Sequence, residues 1–348
     1  MGLRWTDWPD GISARLRAGC AIPAHPLALT ATLALDARRQ KALSRYYLAA
    51  GAGGLAIGVH TTQFAIRDVG LYEPVLRIGA EAAADRGVAP ILVAGAIGRT
   101  EQALREARIA RGLGYHAVLL SLGAWKGASE TEIIAHCAAV AAEMPVFGFY
   151  LQLAVGGVAL SLPFWRRFAA LDNVVAIKIA PFDRYATLDV VRGVLEAGAA
   201  DRIALYTGND DHIVADLLTP FSLAHRGEQK TLRIVGGLLG HWSVWTRAAV
   251  ALHARCRGAD ATPELLALDA QVTEMNAAVF DVAHAFHGVI AGCHEVLRRQ
   301  GLLEGIWCLD PREELSPGQA DLLTAVAQRY PHLTDDSFVR DNLNTWLS

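Results

Sequence analysis

Residues 174–206 read VVAIKIAPFDRYATLDVVRGVLEAGAADRIALY and contain the strand–helix–strand unit from which the fold can be predicted. Both ends of this stretch, 174–179 and 202–206, are short and almost wholly apolar, as expected of parallel strands that are covered on both faces. Between them, 185–198 has a helical pattern and ends at a glycine, the residue that commonly terminates helices. The stretch therefore predicts a parallel β-α-β unit.

Similar apolar runs recur along the chain at a spacing of about thirty residues, with helical segments such as 36–51 and 100–114 between them. Eight such runs predict an α/β protein with a (β/α)₈ (TIM) barrel. The competing architecture, a doubly wound open sheet, normally has a glycine-rich turn after its first strand, whereas Ala34-Leu35-Asp36 contains no glycine. The eight predicted strands are 25–33, 54–59, 90–94, 116–121, 145–150, 174–179, 202–206 and 232–235.

The pattern changes after the eighth run and stays helical from about residue 244 to residue 330. We interpret this part as the last barrel helix followed by additional helices. The expected organisation is an N-terminal extension (1–24), the barrel (25–255) and a C-terminal helical extension (256–348) that packs on the barrel.

The composition indicates which class of protein this is. The chain has 348 residues, 53% hydrophobic and 19% charged, with a formal net charge of −3, so it lacks the basic surface expected of a protein that binds nucleic acid or an anionic membrane. The longest apolar run, 146–162, contains Gln152 and paired glycines, which argues against a membrane span. An odd number of scattered cysteines is typical of reduced thiols, and we expect a cytoplasmic protein. These are Cys20, Cys137, Cys256, Cys293 and Cys308.

Lys178 is the strongest candidate for a reactive residue. The chain has only four lysines, and this one lies in the middle of the apolar run 174–180. Burial lowers the pKa of an ammonium group, and a neutral amine near pH 7 is the nucleophile that carbonyl chemistry requires. The alternative is a structural lysine whose long side chain reaches solvent.

Three further groups of polar residues follow predicted strands, at the barrel end where active sites lie. Tyr150 ends the fifth run and could carry protons, although a tyrosine there can also serve in packing. Thr61 and Thr62 follow the second run and could bind a carboxylate. After the seventh run, Gly208-Asn209-Asp210-Asp211 could bind a hydroxylated substrate or a metal ion, or cap the next helix.

Taken in order, these positions resemble the dihydrodipicolinate synthase / N-acetylneuraminate lyase family of class I aldolases. The segment Asn173-Val174-Val175-Ala176-Ile177-Lys178 is similar to the N-I-V-G-I-K segment of that family. The resemblance covers roughly residues 25–330. Its other elements are Thr61-Thr62, Thr100-Glu101, 114–117, 145–150, 301–305, Asp310-Pro311 and 315–317.

The resemblance implies a role for each candidate residue. Lys178 would form a Schiff base with pyruvate or another 2-keto acid, and Tyr150 would act as the acid/base at the imine. Thr61 and Thr62 would hold the substrate carboxylate, with Thr62 in a proton relay. The remaining implied substrate contacts are Gly208, Asp210, Asp211 and His241. It also implies that no cofactor or metal ion is needed and that the protein is a homo-oligomer, a dimer or tetramer.

The sequence departs from the family at three places that bear on its substrate and on whether it is catalytic. The family's Gly-Glu after the threonine pair is Gln63-Phe64 here, and the loop 121–125 lacks the family's relay tyrosine. The segment 151–162 contains no arginine for a second carboxylate. We therefore expect a divergent lyase or aldolase with a different substrate. The alternatives are a Schiff-base hydro-lyase (dehydratase) of a sugar acid and a barrel that has lost catalysis and binds a keto acid.

Overall fold

The computed structural model describes residues 2–85 and 89–348, and in them eight parallel strands form a barrel. Neighbouring strands pair in the order Ala21–Pro23, Ile234–Leu239, Ala204–Thr207, Val174–Ala180, Val146–Leu151, Ala117–Leu120, Ile91–Ala96 and Gly54–Ile57, and the last of these lies next to the first at the closure. The predicted fold class, a (β/α)₈ barrel followed by helices, is confirmed. The barrel strands are β1 (Ala21–Pro23), β2 (Gly54–Ile57), β3 (Ile91–Ala96), β4 (Ala117–Leu120), β5 (Val146–Leu151), β6 (Val174–Ala180), β7 (Ala204–Thr207) and β10 (Ile234–Leu239).

The barrel closes between β1 and β2. The Gly53 N–H donates to the Ala21 carbonyl over 3.0 Å, and the His25 N–H donates to the Ala56 carbonyl over 2.8 Å. The prediction of a first strand at 25–33 is wrong, because the strand lies at Ala21–Pro23, within the segment expected to precede the barrel.

Residues 25–33 are apolar because they form a buried connection rather than a strand. The Ala28 N–H donates to the side chain of Gln40 over 2.8 Å, so the following helix supplies the partner that a neighbouring strand would otherwise provide. A turn then reverses the chain at Leu33, whose φ is 60°. Apolar composition alone does not distinguish a strand from such a buried connection.

Helices alternate with the strands and cover the outside of the barrel. The predicted helix 36–51 is confirmed: the Asp36 side chain accepts a hydrogen bond from the Arg39 N–H over 3.0 Å, and Gly51 ends the helix with φ 97°. The helices are α1 (Ile12–Ala18), α2 (Ala37–Ala50), α3 (Tyr72–Ala84), α4 (Thr100–Gly112), α5 (Glu130–Glu143), α6 (Leu162–Ala169), α7 (Arg184–Glu196), α8 (Ile213–Leu218), α9 (Thr246–Cys256), α10 (Pro263–Val279), α11 (Val289–Arg299), α12 (Gln319–Arg329) and α13 (Asp336–Trp346).

An antiparallel hairpin precedes the last barrel strand and was not predicted. It consists of β8 (Phe221–His225) and β9 (Glu228–Leu232). Its residues are mostly exposed or half-exposed and include Lys230, so the hairpin lacks the continuous apolar pattern used to predict the other strands. The predicted strand 232–235 therefore covers the end of β9 and the start of β10.

Side chains of the barrel strands alternate between two apolar layers. Residues such as Phe147, Phe149 and Val175 fill the barrel interior, whereas Ile177 and Ile179 pack under the helices. The five cysteines are buried and form no disulfide among the described residues. None of the helices in that part of the chain is long and apolar enough to cross a membrane.

The C-terminal helices are joined to the barrel through a buried carboxylate at Asp335, which is 5% exposed. Asp335 accepts hydrogen bonds from the Tyr46 hydroxyl of α2 over 2.7 Å, the Arg247 N–H of α9 over 2.9 Å and the Gln300 side chain over 2.9 Å. One carboxylate thereby connects α2, α9 and the ends of α11 and α13.

We expect Asp335→Ala to lower the free energy of unfolding by about 1–3 kcal/mol, since buried donors would lose their acceptor. The measurement is urea unfolding followed by circular dichroism. Asp341→Ala is the matched control, because Asp341 is exposed on the same helix and should leave the midpoint unchanged. Equal midpoints for the two variants would contradict this account of the C-terminal packing.

Candidate active site

Lys178 points into the barrel interior and lies close to an aromatic ring. It lies between Ile177 and Ile179, which face the helix layer, so strand alternation directs the lysine inward. Its side chain is buried, and its Nζ lies 4.6 Å from the centre of the Phe149 ring on the neighbouring strand. Among the described residues, no hydrogen bond or ion pair engages the amine. Lys178 therefore presents an unencumbered amine within the barrel.

Burial shifts the pKa of Lys178 and that of Asp210 towards each other. Desolvation lowers the pKa of Lys178 to about 8, and the Asp210 carboxylate opposes part of this shift. Desolvation also raises the pKa of Asp210 to about 7, opposed by the Lys178 charge. Near neutral pH the pair thus holds protons that either group can release, which is the condition for acid–base chemistry.

Lys178 and Asp210 lie in one cavity that encloses about 610 Å³ of empty space, its opening to solvent included. Polar lining residues are few, and apolar ones dominate. The lining comprises Ala24, Val59, His60, Thr61, Leu119, Phe149, Leu151, Gln152, Val155, Lys178, Ala180, Phe182, Gly208, Asp210, Gly240, Phe280, Phe286 and Val289.

Gly208 is required at its position by its contact with Lys178. A Cβ atom there would lie 2.5 Å from Cε of Lys178 and 2.8 Å from Cβ of Ala180. No side chain larger than hydrogen fits while the lysine keeps its direction. Gly208 therefore shapes the floor of the cavity beside the amine.

The two predicted threonines separate. Thr61 lines the cavity, and its hydroxyl donates to the Ala24 carbonyl over 2.8 Å. Thr62 is fully buried away from the cavity lining: its hydroxyl donates to the His25 carbonyl over 2.6 Å and accepts from the N–H groups of Gly58 and Val59. Thr62 holds the turn after β2 in place, so the structure does not bring it to Lys178.

Tyr150 lies on the face of β5 opposite to the cavity. Its ring packs 5.0 Å from that of Trp165 in the helix layer, and its hydroxyl donates to the Leu160 carbonyl over 3.2 Å. Phe149 and Leu151 line the cavity instead. The prediction that placed Tyr150 beside Lys178 disregarded this alternation, and the geometry does not support an acid/base role for this phenol.

Two other predicted contacts also lie outside the cavity lining. Asp211 is exposed, and its backbone carbonyl accepts a hydrogen bond from the Thr273 hydroxyl over 3.0 Å. His241 packs near Trp245 and Asn276, and burial lowers its pKa to about 4. The backbone N–H of His241 nevertheless contributes, because it donates to Asp210 over 2.9 Å and orients the carboxylate.

His60 is a site residue that the sequence interpretation did not assign. It lines the cavity after β2, and burial together with the Lys178 charge lowers its pKa to about 4. A neutral imidazole can both donate and accept a hydrogen bond. The sequence signal that could have identified His60 is its position next to Thr61, directly after the second predicted strand. No three His, Cys, Asp or Glu side chains within 2–85 and 89–348 are grouped as a metal site.

Arg67 holds together the strand ends that carry His60 and Thr61. Its guanidinium donates to the carbonyls of Gly58 (3.1 Å) and Gly95 (2.9 Å) and pairs with the buried Glu106 over 2.9 Å. The backbone carbonyls of Gly58, after β2, and Gly95, on β3, therefore have a hydrogen-bond donor although water does not reach them. This fixes one side of the cavity mouth.

No family model and no curated protein matches this chain in sequence. Solved structures do match its fold. YagE from E. coli K12, a prophage protein of the dihydrodipicolinic acid synthase family in complex with pyruvate, is 18% identical with a TM-score of 0.73 over 89% of this chain and 98% of that chain. Dihydrodipicolinate synthase from Bacteroides thetaiotaomicron is 16% identical with a TM-score of 0.75 over 90% and 99%, respectively.

CdNal from Clostridium difficile, in complex with mannosamine, gives a TM-score of 0.73 at 13% identity over 90% of this chain and 99% of that one. The chain therefore has the fold of the dihydrodipicolinate synthase-like barrels, including the C-terminal helices. At this identity the likeness concerns the fold.

We expect Lys178 to titrate near pH 8 in the folded protein, which ¹³C NMR of reductively methylated lysines can measure because the chain has only four lysines. Asp210→Asn should lower this midpoint, since it removes the carboxylate that stabilises the ammonium. Asp341→Asn, at an exposed site, should leave it unchanged. If Asp210→Asn left the titration midpoint of Lys178 unchanged, the proposed electrostatic coupling between the two groups would be wrong.

Proposed function

We propose that this protein is a class I lyase that forms a Schiff base between Lys178 and the carbonyl of a 2-keto acid. The observation that carries the proposal is the buried amine of Lys178 in the carboxyl-terminal half of β6. It has a lowered pKa, makes no hydrogen bond or ion pair among the described residues, and lines a cavity shared with Asp210. The shared fold with pyruvate-bound YagE supports the same chemistry.

The reaction begins with the neutral amine of Lys178. Its nitrogen attacks the 2-carbonyl carbon, and the carbonyl oxygen takes a proton to give a carbinolamine. That oxygen leaves as water, and a protonated imine remains. The imine then accepts the electron pair released when a neighbouring C–H or C–C bond breaks, which yields an enamine.

Asp210 is the acid/base in this proposal, in the role that the sequence had suggested for Tyr150. Its raised pKa of about 7 allows it to give a proton to the departing hydroxyl and to take one from the carbon next to the imine. The His241 N–H keeps the carboxylate oriented. The neutral imidazole of His60 supplies a hydrogen-bond donor for the substrate's polar end, and the Thr61 hydroxyl, which donates to the Ala24 carbonyl, can accept a hydrogen bond there.

A second candidate is a barrel that binds a keto acid without turnover. The observation that favours it is the absence of tyrosine from the cavity lining described above. The presence of Asp210 in the same cavity as Lys178 favours the lyase instead, because a carboxyl and an amine that share a site and have displaced pKa values are typical of catalytic sites. Exchange of the protons on the carbon next to the carbonyl distinguishes the two candidates, because only the lyase should catalyse it.

We expect cyanoborohydride with pyruvate to attach one reduced pyruvate unit to the wild-type protein, detected by intact-protein mass spectrometry and located at Lys178 by peptide mapping. Lys178→Ala should show no adduct, and Lys126→Ala, at an exposed lysine, should behave as wild type. An adduct that persists in folded Lys178→Ala would falsify the assignment of the nucleophile.

Deuterium exchange at the methyl group of pyruvate tests the acid/base assignment by ¹H NMR in D₂O. Asp210→Asn should slow exchange by about 10²–10⁴-fold, the usual contribution of a general acid/base, while imine trapping persists. Tyr150→Phe should exchange at close to the wild-type rate, because that hydroxyl faces the helix layer. Trapping without exchange in the wild type would favour the binding barrel, and a large loss in Tyr150→Phe would return the role to the tyrosine.

A further inference from the structure

The cavity wall beyond Lys178 is aromatic. Phe149 lies next to the amine, and Phe280 lines the same cavity beside Gly240. At the mouth, Phe182 and Phe286 meet edge to face, with ring centres 5.9 Å apart and planes at 82°. Both residues are half-buried and line the cavity, so part of their apolar surface remains accessible. A ligand that covered these faces would gain the free energy of apolar burial.

The two mouth phenylalanines adopt backbone conformations that side-chain-bearing residues rarely occupy. Phe182 has φ 54° and Phe286 has φ 68°. Such conformations cost free energy and persist only where the surroundings enforce them, commonly at functional sites. At Phe182 a hydrogen bond holds the backbone in this conformation, because the Phe182 N–H donates to the Asn209 side chain over 2.9 Å.

The loop that carries Phe286 is enforced in the same way. Asp281 and Ala285 also have positive φ values, of 54° and 53°. The buried Asp281 carboxylate accepts from His284 over 2.6 Å and from the Gly288 N–H over 3.1 Å, which closes the loop on itself. Two separate polar networks therefore place two aromatic rings over one cavity.

The charges in the cavity argue against a second anionic or polyhydroxylated group on the ligand. Among the lining residues described, Lys178 is the only cation, and the reaction uses it. Asp210 would repel a further carboxylate. Beyond the floor the polar side chains are His60, Thr61 and Gln152, against nine valine, leucine and phenylalanine residues.

We propose that the group attached beyond the reactive carbonyl is aromatic or branched alkyl, so that the substrate is an aryl- or alkyl-substituted 2-oxo acid. This inference rests on the Schiff-base function proposed above and names its substrate class. The carbonyl end lies at Lys178 and Asp210, and the apolar end lies between Phe182, Phe280 and Phe286.

The test compares three probes in cyanoborohydride trapping: pyruvate, phenylpyruvate and 2-oxoglutarate. Phenylpyruvate should half-saturate trapping at a concentration roughly tenfold below the other two, the discrimination expected of an apolar pocket. Phe286→Ala, and the milder Phe286→Leu, should raise the half-saturating concentration of phenylpyruvate by a larger factor than that of pyruvate. Tyr185→Ala is the matched control, since Tyr185 is 85% exposed on α7 and lies outside the cavity lining.

The inference would be wrong, and the Schiff base still supported, if 2-oxoglutarate half-saturated trapping at the same concentration as phenylpyruvate or at a lower one. It would also be wrong if the Phe286 variants weakened the trapping of phenylpyruvate and of pyruvate by the same factor. Titration calorimetry on Lys178→Met keeps the inference testable if trapping fails, because apolar binding does not need the imine. There, phenylpyruvate should bind more tightly than 2-oxoglutarate, and the reverse order would reject an aromatic pocket.

Discussion

Side-chain alternation along the barrel strands is the constraint on which the site depends. Successive residues face the barrel interior or the helix layer, so one position separates a buried nucleophile from a packing residue. On β6 this places Lys178 inside, between Ile177 and Ile179. On β5 it places Phe149 beside the lysine and Tyr150 against Trp165. The chemistry of the cavity follows from these two adjacent strands.

Burial then determines how the inward groups can react. An ammonium and a carboxylate in a poorly hydrated cavity both lose hydration free energy, so both pKa values move towards neutral pH. Asp210 is held by a backbone N–H of the last loop, whereas Lys178 is held by no hydrogen bond among the described residues. The fixed carboxylate and the free amine are suited to acid/base and nucleophile, respectively.

The sequence predicted those features that depend on local pattern. The helix Ala37–Ala50 was predicted because Asp36 is a good N-cap and Gly51 a common helix terminator. Lys178 was selected because burying a lysine in an apolar strand costs free energy. The first strand was placed wrongly because a buried connection is as apolar as a strand. Tyr150 was misplaced because it adjoins an inward position, and the aromatic mouth was not foreseen because Phe182 and Phe286 are 104 residues apart in the sequence.

By itself the sequence determined the barrel, through apolar runs that alternate with helices and of which seven overlap barrel strands, and one candidate nucleophile, through an isolated lysine. Only the tertiary structure decided which polar residues meet that lysine. Strand alternation directs Tyr150 away from the cavity, whereas the loops after the strands place Asp210, Thr61 and His60 in its lining and Thr62 and His241 outside it. The physical reason is that hydrophobic periodicity records whether a residue is buried, whereas the pairing of strands and the hydrogen bonds of the loops set which buried side chains share a space.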